Sequence, residues 1–332
     1  MTYSSSDSHT VDPTGAPATG VRSPSADHLI AIAESLRQSS FPHQLGIEVT
    51  GYCNLRCAMC HHPTLQRPKG RMPMELFRKC VDEVAAVSPD TEVWCSFNGE
   101  PLLAPALLLD MIVYAKSVGL TSMNLNTNGM LLTEDIADRL LDSSLDLVVF
   151  GIDGLSRETY ERIRRGGDRD RVYANVERML EQRQRRAGGP TIMVQFIEMD
   201  ENASERAAFV KYWHERGAIV KLRRKLSWGG RVDSALCLPA GFRIACPWAI
   251  NLMHVFWDGT VPRCCADTEG TEAVGNAREE SLFALWERLS PYREMHLAGE
   301  FRRLPARCAT CRDWMVGASE KLRPDSGPFA AS

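Results

Sequence analysis

Three cysteines at the spacing Cys53-x3-Cys57-x2-Cys60, in the run Gly51-Tyr52-Cys53-Asn54-Leu55-Arg56-Cys57-Ala58-Met59-Cys60, constrain this chain more than any other feature. Just before them Leu45, Ile47 and Val49 alternate with Gly46, Glu48 and Thr50, the period of two expected of a strand with one face in a core. The thiols therefore sit on a loop leaving the C-terminal end of a strand. Three thiolates on one short loop hold three irons of a [4Fe–4S] cluster and leave the fourth iron open to a substrate or cofactor. The competing reading is a zinc site, but zinc motifs favour paired Cys-x2-Cys units that complete four ligands.

Bulk properties narrow the class. The chain has 332 residues and a net charge of −3, which gives no nucleic-acid or anionic-membrane footprint. It has no apolar run long enough to span a bilayer and no basic stretch followed by an apolar core at its start. Eleven cysteines in such a chain point to metal or redox use in a reducing cytosol rather than to disulfides, so a cytoplasmic protein is expected.

The first 25 residues are Ser-, Thr-, Pro-, Gly- and Ala-rich, a composition that cannot offset its ordering entropy. Residues 1–40 are accordingly expected to be largely a disordered tail, with a short helix near Ala26–Arg37. From Phe41 to about residue 225 strands alternate with helices. Strands are expected at Glu92–Phe97, Thr121–Asn126, Leu145–Ile152, Thr191–Ile197 and Ile219–Leu222 after the first, with amphipathic helices between them. Repeated strand–helix units imply right-handed crossovers and a parallel sheet. The expected fold is α/β, a partial (β/α)6 TIM-like barrel. Chemistry then sits at the C-terminal strand ends. Residues 226–318 differ in character and form a second, smaller unit in this reading, with a hairpin at Asp258-Gly259; 319–332 are a polar tail.

The three-cysteine spacing, taken with the motifs at later strand ends, resembles the radical S-adenosylmethionine (SAM) superfamily. Asn98-Gly99-Glu100-Pro101 is similar to the family's Gly-Gly-Glu-Pro, Gly151-Ile152-Asp153-Gly154 to its Ser-Ile-Asp-Gly, and Ile163-Arg164-Arg165-Gly166-Gly167 to its Ile-Arg-x-Gly-Gly. Met59 replaces the family's aromatic residue before the third cysteine. The resemblance implies a [4Fe–4S] cluster on Cys53, Cys57 and Cys60 with SAM on the open iron, cleaved to a 5′-deoxyadenosyl radical. It assigns Met59, Asn98, Gly99, Glu100, Asn126, Asn128, Asp153 and Arg164 to SAM, Glu100 at its ammonium and Arg164 at its carboxylate. A reducing partner such as flavodoxin or ferredoxin is implied, with no nucleic-acid or membrane partner.

A second group, Cys246-x17-Cys264-x43-Cys308-x2-Cys311, supplies four thiols, enough to close a cluster or to build a zinc ribbon. Beside the barrel motifs it resembles the twitch domain, a shortened SPASM domain holding one auxiliary [4Fe–4S] cluster. Cys265 follows a ligand directly and is either a packed thiol, an alternative ligand or a hydrogen-atom donor; it is the candidate catalytic residue. Cys80 and Cys95 read as core, Cys237 lies in the connection between units, and His61 and His62 as SAM-site or surface residues.

The combination resembles enzymes that act on aminocyclitol and aminoglycoside carbons in antibiotic biosynthesis. It implies a small-molecule substrate and a two-electron oxidation of a carbinol carbon, with epimerisation through a cysteine donor as the alternative and peptide modification as a further one. A non-enzymatic iron–sulfur protein is the reading of a different class. Glu198, Asp200, Glu201 and Asp233 are the candidate bases or amine partners.

Overall fold

The computed structural model describes residues 26–186, 188–234 and 243–320. Of the tails expected at 1–40 and 319–332, residues 1–25 and 321–332 lie outside the described residues, as does Cys237.

Helix α1 (Ala26–Ser35) leads into strand β1 (Gln44–Ile47), and the cysteine loop follows it directly. The chain then alternates: α2 (Met74–Val87), β2 (Glu92–Cys95), α3 (Pro105–Ser117), β3 (Met123–Thr127), α4 (Glu134–Asp142), β4 (Leu147–Gly151), α5 (Arg157–Ile163), α6 (Arg169–Gln184), β5 (Thr191–Glu198), α7 (Arg206–His214) and β6 (Ile219–Arg224). Local chemistry sets these bounds. Thr133 caps α4 by accepting from the Ile136 N–H, with Glu134 and Asp135 in the first turn, as the sequence indicates. Every residue of β4 is buried, as its continuous apolar run requires of a strand covered on both faces.

The strands form one parallel sheet in the order β6-β5-β4-β3-β2-β1-β7. The α/β class and the open parallel barrel follow the expectation. The seventh strand does not: β7 (Leu252–Val255) comes from residues beyond 225 and pairs with β1 from Gln44↔Leu252 to Ile47↔Val255. It is preceded by the short helix α8 (Pro247–Asn251).

The turn expected at Asp258-Gly259 is present. The Gly259 N–H donates to the Phe256 carbonyl at 2.9 Å, with Gly259 at φ +92°. The Phe256 N–H also donates across the turn to the Thr260 carbonyl at 2.9 Å, and the strand after it, β8 (Thr260–Pro262), takes its ladder from β9 (Ala273–Asn276). Helices α9 (Leu282–Arg288), α10 (Ser290–Leu297), α11 (Ala306–Thr310) and α12 (Trp314–Glu320) complete the chain. One apolar core runs from Phe41 through the barrel to Val261, Leu285, Trp286 and Leu304.

Candidate active site

A cavity of about 330 Å³ opens at the C-terminal ends of the strands. Cys53, Cys57, Cys60, Met59, Asn98, Gly99, Glu100, Asn126, Asn128 and Arg164 all line it. The structure therefore brings together every first-group residue named from the sequence except Asp153. The three thiols are near neighbours: burial, then the charge of Cys57, pushes Cys60 up to about 12, and burial chiefly pushes Cys53 up to about 11. Such thiols ionise only when a cation supplies the missing charge.

The loop that carries them is pinned from both sides. The Ala58 N–H donates to the Ile163 carbonyl at 2.8 Å, and the Arg56 N–H to the Arg165 carbonyl at 2.9 Å. From β2, the Glu100 N–H donates to the Tyr52 carbonyl at 2.8 Å, and a Cβ on Gly99 would overlap the Thr50 and Tyr52 carbonyl oxygens. Gly99 is thus required by the approach of this loop's own backbone, not only by a ligand. The buried Glu100 carboxylate accepts from the Leu102 N–H at 2.9 Å, the Thr127 hydroxyl at 2.7 Å and the Asn128 N–H at 2.8 Å. The Asn128 amide in turn donates to Asn54 Oδ1 at 2.8 Å. Glu100 therefore ties the turns after β2 and β3 together and, through Asn128, reaches the cysteine loop. Asn126 is the exposed member of β3, its side chain on the cavity wall.

His61 and His62 are structural parts of the same loop. His61 Nε2 lies 2.8 Å from Asn98 Oδ1, and its ring packs on Trp228 at 4.2 Å. His62 Nε2 lies 3.0 Å from the Gly51 carbonyl. The Trp228 indole donates to the Met59 carbonyl at 3.0 Å, although Trp228 holds a left-handed backbone at φ +51°. A bulky residue pays about 1–3 kcal/mol for that conformation, so the surroundings impose it. Here the Ser227 and Gly229 N–H groups on either side both donate to the Asp313 carboxylate, at 2.6 and 2.8 Å.

Arg164 and Asp153 explain the departure from Ser-Ile-Asp-Gly. Arg164 Nε and Nη2 both reach Asp153 Oδ2, at 2.8 and 2.5 Å, and Nη1 lies 3.8 Å from Cys57 Sγ. A Cβ at Gly151 would overlap that guanidinium, so a serine cannot coexist with this placement of Arg164. Asp153 is fully buried behind Arg164, and its other oxygen accepts from the Ile197 N–H at 2.6 Å. It aims Arg164 at the cavity and does not reach the cavity itself.

The second cysteine group also converges. Cys246, Cys264, Cys265, Cys308 and Cys311 line a small cavity of about 30 Å³ together with Tyr292, His296 and Asp313. The Tyr292 hydroxyl lies 2.9 Å from Cys308 Sγ, and the Asp313 N–H donates to Cys311 Sγ at 3.4 Å. Among the described residues no three or more His, Cys, Asp or Glu side chains close on a single metal ion. Cys80 and Cys95 are fully buried in the main core, as expected of packed thiols.

Two domain models match the chain, the radical SAM superfamily over residues 47–210 and an iron–sulfur cluster-binding (SPASM) domain over residues 246–312. The first spans Cys53, Cys57 and Cys60, and the second spans Cys246, Cys264, Cys308 and Cys311. The chain belongs to the radical SAM superfamily. A "probable GTP 3′,8-cyclase" of Methanococcus maripaludis is 29% identical over 182 residues, 53% of this chain and 57% of that protein. The chain thus matches little more than half the length of that relative. Two solved structures share the fold. BtrN in complex with AdoMet and 2-DOIA aligns with a TM-score of 0.58 at 18% identity, over 83% of this chain and 94% of that one. Streptococcus suis SuiB bound to precursor peptide SuiA aligns with a TM-score of 0.63 at 13% identity, over 87% and 74%.

As a radical SAM enzyme with a SPASM-type domain, the chain uses SAM, a [4Fe–4S] cluster and auxiliary iron–sulfur chemistry. The donor sets fit these groups: three soft thiols face an open cavity, and a further group of thiols surrounds a small enclosed one. Among the described residues no helix is long and apolar enough to cross a membrane.

Other parts of the main cavity's wall are built by residues that the sequence did not single out. Gln195 on β5, Lys221, Arg223 and Arg224 on β6, His254 on β7, Trp228 and Trp248 all line it. Their signal was present in part, since Lys221 and Arg223 alternate along a strand and so share a face. His254 is buried and stacked on Phe97 at 3.8 Å, in space that only a glycine at position 46 leaves open. The acids proposed from the sequence lie elsewhere: Glu198 faces Arg206, and Asp200, Glu201 and Asp233 are exposed.

Proposed function

We propose that this radical SAM enzyme oxidises a carbinol carbon of a small cyclitol- or sugar-like substrate by two electrons, aminocyclitols and aminoglycosides being the class the sequence suggests. The observation that carries this reading is a shared wall: Cys265 and Trp248 line both the main cavity and the cavity of the second cysteine group. An electron acceptor held by Cys246, Cys264, Cys308 and Cys311 then abuts the substrate. When bound, the cofactors would supply a 5′-deoxyadenosyl radical and an electron sink.

The chain's own part is placement and exclusion of water. Glu100, Thr127 and Asn128 fix the cysteine loop against the β2 and β3 turns. Asp153 holds Arg164 for the SAM carboxylate. Met59 supplies an apolar, polarisable surface for the adenine. A further role, in antibiotic biosynthesis, is part of the same reading and rests on the resemblance alone.

Epimerisation is the second reading, favoured by the position of Cys265 on the main cavity wall. Peptide modification has no comparable observation beyond the fold it shares with SuiB. The test is anaerobic turnover of the cluster-loaded, reduced protein with SAM and a panel of cyclitols and aminocyclitols. The expected result is one ketone per 5′-deoxyadenosine. Cys308→Ala with Cys311→Ala is expected to keep 5′-deoxyadenosine formation and lose the ketone. Solvent deuterium at the product carbon, abolished in Cys265→Ala, would establish the epimerase instead.

A further inference from the structure

The cysteine loop has an inner side, which lines the main cavity, and an outer side. On the outer side Tyr52, Asn54 and Arg56 are exposed while Leu55 and Cys57 are buried, so alternate residues point to solvent. Cys53, between Tyr52 and Asn54, is itself partly exposed. Two further stretches are hydrogen-bonded onto this loop. The Gly51 N–H donates to the Gly70 carbonyl at 2.9 Å, and the Tyr52 hydroxyl to the Lys69 carbonyl at 2.9 Å. The bond from the Arg56 N–H to the Arg165 carbonyl brings in the turn after α5, where Arg165 and Gly166 are exposed. Arg56, Lys69, Arg71 and Arg165 therefore come from three stretches that meet at the cysteine loop, Lys69 half-buried and the others exposed.

These stretches carry one sign of charge. Residues 49–74 and 162–167 contain no Asp or Glu, in a chain whose net charge is −3. Some of their cations are engaged: Arg67 with Glu48, Arg164 with Asp153 and Arg162 with Glu158. Among the described residues the side chains of Arg56, Lys69 and Arg165 have no hydrogen bond or ion pair, and Arg71 reaches only the Leu103 carbonyl, at 3.4 Å. Glu269 accepts from the Gln66 and Arg67 N–H groups but is paired with Arg231 at 3.0 Å. Glu75, in the first turn of α2, and Asp168, the cap of α6, are the exposed acids that bound these stretches in sequence.

We propose that this outer face docks a small acidic protein that carries single electrons, and that Arg56, Lys69 and Arg165 receive its carboxylates. The loop beneath the face holds the three thiols for the first cluster, and the loop's inner side is given over to the cavity. The outer side is therefore the side of this loop open to a protein. In the transfer the carrier loses one electron and the cluster gains it; no bond forms or breaks and no proton moves. Complementary charge speeds such an encounter and orients it without making it tight, which suits a carrier that must leave again. Interfaces of this kind are small, and their centres favour arginine and tyrosine over other polar residues. Tyr52, 47% exposed beside Cys53, supplies the aromatic member. The inference goes beyond the proposed oxidation and does not depend on which carbon is attacked.

The test uses a flavodoxin as the acidic carrier. Its hydroquinone is mixed anaerobically with the cluster-loaded, SAM-bound protein, and oxidation of the flavin is followed by stopped flow. Photoreduced 5-deazariboflavin, small and uncharged, reduces the same samples in parallel. The rate with flavodoxin is expected to fall as salt is added. Arg56→Glu with Arg165→Glu is expected to lower its second-order rate constant about tenfold or more and to remove most of the salt dependence. Arg56→Lys with Arg165→Lys is expected to keep the wild-type rate. Iron content and reduction by deazariboflavin are expected to be unchanged in both variants. A rate that ignores salt overturns the proposal, as does a charge-reversed variant that reacts like the wild type, or a wild-type protein that takes no electron from flavodoxin. An equal loss with deazariboflavin overturns it too, because the arginines would then act on the cluster and not on docking. None of these outcomes involves the organic substrate. Failure here leaves the proposed oxidation standing, and salt-dependent reduction without any ketone sinks the dehydrogenase reading alone.

Discussion

At the scale of single residues, the site depends on side chains that hold other side chains. Glu100 accepts three hydrogen bonds with its two oxygens, and two of the donors belong to the β3 turn. Glu100→Gln keeps the shape but turns one acceptor into a donor, leaving at least one of these buried donors unpaired. That costs about 1–3 kcal/mol, and we expect a matching loss in urea-unfolding stability together with weaker SAM binding by calorimetry. An unchanged midpoint would show that the network is not under tension from the fold. His254 gives a pH-dependent counterpart. Burial lowers it to about 3, so the folded state holds it neutral while the unfolded chain takes up a proton near pH 6.5. The unfolded state therefore binds more protons below pH 6.5, and stability falls as pH drops through that value. Between pH 7.5 and 5.5 the loss attributable to His254 is roughly 1.4 kcal/mol, one unit of linkage. It is read as the part of the wild-type loss that His254→Gln does not show. Parallel pH dependences in the two proteins would remove His254 as the cause.

At the scale of elements, two glycines decide where the loops can go. Gly99 lets the β2 turn lie against the cysteine loop, and Gly151 lets Arg164 cross over the end of β4. Gly99→Ala is expected to push the two loops apart and to lower bound iron by about half, since only the three-thiol cluster depends on that contact. Electron paramagnetic resonance of the reduced protein should then retain the auxiliary signal alone; full iron content would refute the assignment. This is also where legibility in the sequence divides. The strands, their parallel direction and the strand-end positions of Cys53, Glu100 and Asn126 follow from periodicity and motif spacing, which are local. A motif names a residue but not its direction: the Asp153 side chain is turned onto Arg164, eleven residues on. Trp228 and His254 gave no signal at all. Each is placed by long-range packing, Trp228 through Asp313 and the Met59 carbonyl, and His254 through the pairing of β7 with β1.

At the scale of the whole molecule, the pairing of β7 with β1 changes what the second unit is. In sequence the chain reads as a barrel followed by an appended cluster domain. In the structure β7 covers the free edge of β1, the strand that leads into Cys53, over four residue pairs. The two regions are joined further from the site as well: Lys79 on α2 donates to the Glu280 carbonyl at 2.7 Å, the Leu282 N–H donates to Glu83 Oε2, and the Trp286 indole donates to the Ser39 carbonyl at 3.0 Å. Trp286 and Leu285 belong to the same core as Phe77 and Val84. An uncovered β1 edge would leave its backbone groups unpaired, an aggregation hazard, and would expose apolar surface worth about 25 cal/mol per Å². We therefore expect a chain ending at residue 245 to be insoluble or molten, and unable to hold a cluster on Cys53, Cys57 and Cys60. Cys246→Ala in the full-length chain keeps β7 and is expected to fold and to retain that first cluster. Circular dichroism, cooperative unfolding and iron content of the two proteins distinguish loss of the strand from loss of the auxiliary metal. A truncated barrel that unfolds cooperatively and binds its cluster would show that β7 is an ornament of the sheet. The opposite outcome would mean that the main cavity, whose wall includes His254, exists only when the C-terminal residues have folded onto the barrel.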